Sequence, residues 1–428
     1  MKKILRKIIA VIIVVLALTG MIPQGAAADE GDMIKVSFRV EGIEENIYFN
    51  AEIEIAKGST VEDLIKLVRG SGGAPKITVS DSTYGAYISE IGGLAEFAYG
   101  EMSGWNYRVN DAEPSFGISL CKLNNLDSIV CYYGDPFGVG MQFPQVDWSR
   151  ALSDGIIKFT SADTVYDDNW TPSLAVNPVV GATVTFRWYK YITDNNGEIK
   201  VADKSGLSGF RTVQIERYHE ETGVPTVLRF APDYEIYVPF ADTPRSTPLP
   251  WYENAVRFCV REEYFFGTNF AANLFEPMRN MTMTQLVTVL ARIGDVGADM
   301  TTGELWYVAP LDWAIKNGVL TVDEAVREEG IGALYELTSG MNVTREQFIY
   351  MFYLTVGLVG GYDMTARDNI KTASDYNDIT VSYREAISWA VASGIIDGTN
   401  TKTLTISPSL EINRATVCQM LYNYYSRK

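Results

Sequence analysis

Two arginines stand at positions where the chain would bind an anion. Arg345 and Arg414 each take the first position of a predicted helix, directly after a side chain typical of an N-cap. A cation at a helix start is unfavourable by roughly a few tenths of a kcal/mol unless an anion compensates it. Because helix-start amides and a guanidinium both bind anions, the spacing predicts an anion site at each arginine, formed with free amides. The alternative is a structural salt bridge to Glu346 or Glu411.

Three similar stretches at the C-terminal end must position these arginines. Each follows one order of signals: an Asp, then a Trp or Tyr before a first helix, a Gly that ends it, and a second helix. Thr282 with Gln285, and Thr344 with Gln347, fit capping boxes at second helices, and Asn413 is a good N-cap. A fixed order that recurs every roughly 50 to 70 residues indicates a repeat architecture.

The same order of signals resembles the S-layer homology repeat. The third stretch fits best, with Tyr376-Asn377-Asp378-Ile379 at its start and Ile412-Asn413-Arg414-Ala415 at its second helix. The resemblance implies an all-α, pseudo-threefold domain whose grooves hold an anionic, often pyruvylated, secondary cell-wall polymer. Arg345 and Arg414 match the arginine that contacts this polymer in the family, and Met283 replaces it in the first copy. The residues expected at the wall-polymer site are Arg345, Arg414, Trp251, Trp306, Tyr383, Thr344, Asn413, Gln347, Asp242, Asp299 and Asp378.

The first predicted domain, residues 29–136, combines strand patterns with one amphipathic helix. A capping box of Ser59 and Glu62 is expected to begin this helix, and strands before and after it predict an α+β, β-grasp-like unit. The stretch from Gly104 to Asn110 resembles the C-terminal β-domain of transcobalamin and intrinsic factor. That resemblance implies a ligand site, and the candidates are Tyr84, Tyr87, Trp105, Tyr107 and Asn110.

Two interpretations of those aromatic residues stay open. In the vitamin carriers the ligand lies between this domain and a helical barrel, and no barrel pattern precedes the domain here. No cofactor is therefore expected, with a corrinoid as the alternative. Trp105 and Tyr107 equally fit a cross-strand aromatic pair that closes the core. A glycan or another small ligand is the remaining possibility.

The middle stretch, residues 137–239, alternates apolar and polar residues over short strands. The run Asp194-Asn195-Asn196-Gly197 is a strong turn signal between such strands. The pattern predicts an all-β, Ig-like domain. Trp170, Trp188 and Tyr189 are expected to pack in its core, with a sugar-binding platform as the alternative.

The N-terminal residues predict export. Four basic residues precede the apolar run 8–18, and Ala26-Ala27-Ala28 offers a cleavage site, so residues 1–28 fit a signal peptide. No other apolar run is long enough to span a membrane, so the mature protein is expected to have no transmembrane segment. The formal net charge of −17 disfavours nucleic acid as a partner.

Cysteine and histidine usage limits the chemistry that the chain can do. The four cysteines show no Cys-x-x-Cys spacing, so no metal site is expected. Cys121 and Cys131 flank a short turn and are either bridged or free. His219 is the single histidine, so a His-based metal site is excluded and a catalytic triad would depend on it. No catalytic residue is assigned.

Together these observations predict a multidomain, non-enzymatic protein of a Gram-positive-type cell surface. Its C-terminal repeats hold it non-covalently to anionic secondary cell-wall polymer or peptidoglycan, and its β-rich domains bind a small ligand, a glycan or a partner. One alternative is a wall-associated glycan hydrolase with an Asp/Glu pair. A second is a structural S-layer-type array protein. The predicted repeat region is 240–428, with copies at 240–295, 296–358 and 375–428.

Overall fold

The computed structural model describes residues 33–166, 172–243, 248–294, 296, 301–360, 362–396 and 404–426. The predicted signal peptide, Trp170 and Asp299 lie outside the described residues. The chain divides into two compact units, each with a segment contributed from elsewhere in the sequence. The first unit is Met1–Phe143 with Arg217–Pro232, and the second is Pro144–Glu216 with Asp233–Lys428.

The first unit contains seven described strands and one helix. These are β1 Met33–Glu41, β2 Asn46–Ala56, α1 Val61–Arg69, β3 Ile77–Ser80, β4 Tyr87–Ile91, β5 Leu94–Ala95, β6 Gly104–Val109 and β7 Ser128–Gly134. Four strands form a mixed sheet in the order β2-β1-β7-β6, in which β1 and β7 run parallel. A smaller antiparallel sheet has the order β3-β4-β5. Alternate residues of β1 are buried, as the sequence pattern predicts for a half-buried strand.

Helix α1 begins one residue later than the sequence analysis expects. Its capping box is formed by Thr60 and Asp63, so the predicted box of Ser59 and Glu62 is wrong. The carbonyl of Ser59 instead accepts a hydrogen bond from the backbone amide of Leu123 at 2.8 Å. Both residue pairs fit a capping box, so the local sequence does not choose between them. The contact of Ser59 with Leu123 therefore sets where the helix starts.

The segment 217–232 belongs to the first unit although the sequence places it inside the middle stretch. The guanidinium of Arg229 donates to the buried carboxylate of Glu41 from Nε at 3.1 Å and from Nη2 at 3.0 Å. Arg39 donates to the other carboxylate oxygen of Glu41 at 2.7 Å. A buried carboxylate needs such partners, and this network therefore fixes the segment to β1.

The β-rich part of the second unit has two four-stranded antiparallel sheets. Its elements are β8 Pro144–Asp147, α2 Ala151–Asp154, β9 Ile156–Tyr166, β10 Pro172–Pro178, β11 Thr183–Phe186, β12 Tyr189–Ile192, β13 Glu198–Lys200, β14 Gly209–Glu216 and β15 Glu235–Val238. One sheet has the order β10-β9-β13, with β8 also paired to β9, and the other has the order β12-β11-β14-β15. The predicted turn at Asp194 is confirmed, since Gly197 donates to its carbonyl at 2.9 Å.

The hairpin between β11 and β12 exposes two aromatic side chains. Its turn residues Arg187 and Trp188 have φ values of 49° and 72°, which non-glycine residues rarely adopt. The side chain of Trp188 is 99% exposed, and Tyr189 is also exposed. The expectation that these two aromatic residues pack in the core is therefore wrong.

The rest of the second unit is helical. Its helices are α3 Glu253–Arg261, α4 Met283–Ile293, α5 Val308–Lys316, α6 Glu324–Glu328, α7 Ile331–Ser339, α8 Arg345–Val359, α9 Arg384–Ala392 and α10 Arg414–Ser426. Short 3-10 turns lie at Ile370–Thr372, Tyr376–Asp378 and Val381–Tyr383. β-Rich regions followed by a helical C-terminal region agree with the predicted multidomain organisation. Within the described residues, each helix is too short or too polar to cross a lipid bilayer.

The starts of α4, α8 and α10 are joined by a closed ring of three backbone hydrogen bonds. Met281 N donates to Ile412 O at 3.0 Å, Ile412 N to Val343 O at 3.0 Å, and Val343 N to Met281 O at 2.9 Å. Each of these residues directly precedes a helix N-cap. The caps agree with the sequence: both predicted capping boxes are confirmed, and Asn413 accepts from the amide of Thr416 at 2.9 Å.

A candidate anion-binding cavity in the helical region

The amides at the starts of α8 and α10 already have partners. Arg414 N donates to the carbonyl of Arg279 at 3.0 Å, and Ala415 N donates to the carbonyl of Pro277 at 2.8 Å. The first two amides of α8 likewise donate to the carbonyls of Leu410 at 2.8 Å and Pro408 at 3.1 Å, in the loop before α10. The prediction that free helix-start amides form the anion site is therefore wrong, because tertiary contacts occupy them.

The guanidinium of Arg414 is also committed to the fold. It is buried, and it donates from Nε to Phe275 O at 2.8 Å and from Nη2 to Phe266 O at 2.7 Å. Its central carbon lies 5.0 Å from the ring centre of Phe265 and 4.5 Å from that of Phe275. Burial lowers the pKa of Arg414 to about 10, so the side chain stays charged at neutral pH. Arg414 thus holds a loop in place while contributing positive charge.

Arg345 occupies the equivalent position of α8, and one of its hydrogen-bond donors has no partner. Its side chain is 7% exposed, and its Nε is buried with no hydrogen-bond partner among the described residues. Burial lowers the pKa of Arg345 to about 10, and the charge of Asp375 partly opposes this shift. An unused donor on a buried guanidinium lowers the stability of the fold, and Arg345 is not among the residues that line the cavity described below.

The two acids that the sequence offered as salt-bridge partners bond elsewhere. Glu346 accepts from the amide of Thr380 at 2.9 Å and from its hydroxyl at 2.8 Å. Glu411 accepts from the side-chain amides of Asn280 at 2.8 Å and Asn342 at 2.9 Å. These acids therefore tie loops to helix starts, and the salt-bridge interpretation of Arg345 and Arg414 is wrong.

A cavity of about 890 Å³ opens beside Arg414 in the second unit. Of the predicted wall-polymer residues, it brings together Arg414 and Trp306. Its charged lining consists of five arginines and two glutamates: Arg211, Arg261, Arg279, Arg292, Arg414, Glu235 and Glu263. A positive lining stands out in a chain with a formal net charge of −17, and it favours an anionic ligand.

Two of these arginines are exposed and available to a ligand. Arg279 has a side chain that is 55% exposed and pairs with Glu276 at 2.7 Å. Arg261 is exposed, and its guanidinium lies 4.4 Å from the ring centre of Phe210. Neither residue occupies a recognisable motif position, so the sequence pattern does not indicate either of them. Arg261 ends α3 and Arg279 lies before α4, and these segments meet only in the folded chain.

Arg211 and Arg292 instead support the walls of the cavity. Arg211 donates to the carbonyls of Gly206, Ser208 and Phe210. Arg292 donates from Nη1 to Tyr264 O at 3.0 Å. Burial lowers the pKa of both arginines to about 10, and both remain cationic at neutral pH. They raise the local positive potential without presenting free donors of their own to the opening.

The remaining predicted wall-polymer residues are distributed around the helical region. Trp251 is 58% exposed and packs edge-on against Tyr252 with ring centres 5.4 Å apart. Tyr383 stacks on Tyr350 at 4.5 Å. Helix caps are formed by Thr344, Gln347 and Asn413. The carboxylate of Asp242 accepts hydrogen bonds from two backbone amides. Asp378 is exposed at the end of a 3-10 turn.

Most candidate ligand residues of the first unit form hydrogen bonds within that unit. Trp105 is buried, donates to Leu94 O at 2.8 Å and packs edge-on against a tyrosine. Tyr107 donates its hydroxyl to Phe116 O at 2.6 Å. Tyr87 donates to Glu96 at 3.3 Å, and Asn110 donates to Asp127 at 2.6 Å. Tyr84 differs, since its side chain is 78% exposed.

Neither a disulfide nor a metal cluster is present among the described residues. Cys121 and Cys131 are free, buried thiols, which is the second of the two alternatives from the sequence. His, Cys, Asp and Glu side chains in the described ranges form no group of three that could hold a metal ion. His219 contacts the hydroxyl of Thr222 at 3.1 Å.

Comparison with known families matches two segments of the chain. Residues 375–418 match the S-layer homology domain, and residues 58–135 match a domain of unknown function, DUF4430. The C-terminal end therefore carries an S-layer homology domain, which indicates association with the cell surface. No match was found among curated proteins.

Two solved structures show limited similarity to the chain. One is haptocorrin in complex with Cbi, at 18% identity and a TM-score of 0.23 over 26% of this chain and 27% of that chain. The other is a candidate metal binding protein from Ruminococcus gnavus, at 8% identity and a TM-score of 0.20 over 24% of this chain and 97% of that chain. The chain thus spans about a quarter of haptocorrin. Such low TM-scores carry no conclusion about fold or ligand.

Proposed function

We propose that this chain, whose residues 375–418 form an S-layer homology domain, is a non-enzymatic protein held non-covalently to an anionic cell-wall polymer. The observation that carries the proposal is the arginine-lined cavity beside Arg414. Acidic groups of the polymer would bind the exposed guanidiniums of Arg261 and Arg279. An arginine forms two parallel hydrogen bonds with a carboxylate, so it suits a polymer that bears such groups.

The helical region supports this proposal as a set of three related copies. Thr–Gln capping boxes begin α4 and α8, an asparagine cap begins α10, and a ring of backbone hydrogen bonds joins the three helix starts. This arrangement supports the pseudo-threefold, all-α domain that the sequence resemblance implies. The copies at 240–295 and 296–358 remain part of the proposal, since the family match covers the third copy.

The β-rich regions would bind a small ligand, a glycan or a partner. The mixed sheet with helix α1 supports a β-grasp-like first domain, and the two antiparallel sheets support an Ig-like middle domain. Export through the predicted signal peptide would place both at the cell surface. No cofactor is assigned to them, and a corrinoid remains an alternative ligand for the first domain.

The test is co-sedimentation of the purified full chain with isolated cell-wall sacculi. We expect Arg261→Gln and Arg279→Gln each to weaken binding about tenfold, which corresponds to about 1.4 kcal/mol. Both side chains are exposed, so the variants should fold normally. Arg327→Gln is the matched control, because Arg327 is exposed on α6 and does not line the cavity. Its binding should equal that of the wild type.

The outcome also separates the alternatives. If the Arg261→Gln, Arg279→Gln double variant sediments as the wild type does, the cavity does not bind the polymer. Binding should also fall as the salt concentration rises, since exposed charge pairs are screened. Release of sugars from sacculi by the wild type would instead favour the hydrolase, and ordered sheets formed without sacculi would favour the array protein.

A further inference from the structure

Two cysteines of the helical region lie next to each other in its core. Cys259 is on α3, Cys418 is on α10, and these two helices pack side by side. Both side chains are fully buried, and both thiols are free in this structure. The sulfur of Cys259 lies 3.7 Å from the backbone oxygen of Cys418. Burial raises the pKa of the Cys259 thiol well above its usual range, and contact with the Cys418 thiol raises it further.

The position of this pair is unusual in the chain. Cys259 belongs to the first helix of the helical region and Cys418 to the last, and the two residues are 159 positions apart in sequence. The pair thus lies where the two ends of the region meet. Nearness along the chain indicates only the pair Cys121 and Cys131, so the sequence alone does not reveal this second pair.

We propose that Cys259 and Cys418 form a disulfide that joins the first and last helices of the helical region. The reaction breaks the two S–H bonds and forms one S–S bond. Two electrons and two protons pass to the disulfide of a thiol–disulfide oxidant, which becomes a dithiol. The oxidising compartment rests on the proposed cell-surface location. Because both side chains are fully buried in the folded chain, an oxidant reaches them during folding, before the core closes.

The disulfide would stabilise the helical region mainly by restricting the unfolded chain, and less by changing contacts of the native state. A cross-link across a long loop restricts the unfolded ensemble strongly, so the helical region would unfold at a higher temperature. It would also prevent α10 from separating from α3 when the wall polymer pulls on the domain. The anchor would then resist mechanical as well as thermal unfolding.

The test uses the purified full chain, unfolded in the presence of reductant and refolded with oxidised glutathione. Free thiols are trapped by alkylation, the protein is digested without reductant, and linked peptides are identified by mass. We expect a peptide pair that joins Cys259 to Cys418, and alkylated Cys121 and Cys131. The melting temperature of the oxidised protein should fall by about 10 °C after reduction.

Matched variants make the result decisive. The Cys121→Ala, Cys131→Ala variant should keep the linked peptide and the effect of reductant. Cys259→Ala should lose both. Four alkylated cysteines after oxidative refolding to native circular dichroism would overturn the proposal, as would a link between Cys121 and Cys131 alone. These readouts do not involve sacculi, so they stand apart from the test of polymer binding.

Discussion

Asp242 and Asp375 make the same contacts in two of the proposed copies of the helical region. The carboxylate of Asp242 accepts the backbone amides of Phe275 and the next residue, at 2.8 and 2.7 Å. The carboxylate of Asp375 accepts the amides of Ile406 and the next residue, at 3.0 and 2.7 Å. Asp375 is therefore the equivalent of Asp242, rather than Asp378 as the sequence order suggested. Each aspartate fixes the loop that faces an arginine.

Replacing Asp375 should destabilise the helical region. Asp375→Ala leaves two amides without their charged acceptor, and each such bond contributes about 1.5–3 kcal/mol. We expect a loss of about 3 kcal/mol in the free energy of unfolding, measured by urea denaturation. Asp378→Ala is the control, because Asp378 is exposed, and it should change stability by less than about 0.5 kcal/mol. Equal effects would refute the equivalence.

The buried ion pair of Glu41 and Arg229 should dominate the stability of the first unit. Arg229→Ala leaves the carboxylate of Glu41 with too few partners, and such losses cost about 3–5 kcal/mol. Thermal unfolding should report this loss directly. Lys35→Ala is the control, because it removes the exposed pair with Glu52, whose charged atoms are 2.8 Å apart, and it should leave the melting temperature nearly unchanged. A mild effect of Arg229→Ala would show that segment 217–232 is held by other contacts.

Removing backbone strain from the turn between β11 and β12 should stabilise the middle stretch. Trp188 has a positive φ and an exposed ring, so Trp188→Gly removes backbone strain without loss of packing. We expect a gain of about 1 kcal/mol, seen as a higher melting temperature. Trp188→Ala keeps a Cβ and therefore the strain, so it should give no gain. If both variants behave alike, strain is not what distinguishes this turn.

Alkaline pH should unfold the protein through its buried tyrosines. Burial raises the pKa of Tyr132, Tyr264 and Tyr425 well above the usual value of about 10. The folded chain keeps these protons, so their contribution to stability is complete below pH about 10 and is lost as pH rises towards the raised values. Phenolate absorbance should show a class of tyrosines that ionises together with loss of circular dichroism. Full ionisation before unfolding would contradict this.

Local chemistry explains which parts of the fold were predictable from sequence. The box of Thr282 and Gln285 is correct because a capping box needs only residues of the same turn. The box at α1 was misplaced by one residue, because the competing pairs differ only in a contact of Ser59 with Leu123. Where two local solutions are equally good, tertiary contacts decide between them.

The candidate site was harder to predict for the same reason. Arg414 was identified from its motif, but its carbonyl partners lie in a loop far away in sequence. Arg261 and Arg279 have no motif, and only the fold brings them to the cavity. A pattern along the chain predicts which helix an arginine begins, whereas its partners depend on how separate copies pack.

The ring formed by Met281, Val343 and Ile412 joins the starts of α4, α8 and α10, so it makes the three proposed copies interdependent. Each of the three residues donates one backbone hydrogen bond and accepts one, so removing any copy leaves an unpaired donor and an unpaired acceptor. The copies should consequently melt in a single cooperative transition rather than one after another. A fragment carrying only the recognisable third copy would then be an incomplete domain, and grafting this anchor onto another protein would require all three copies.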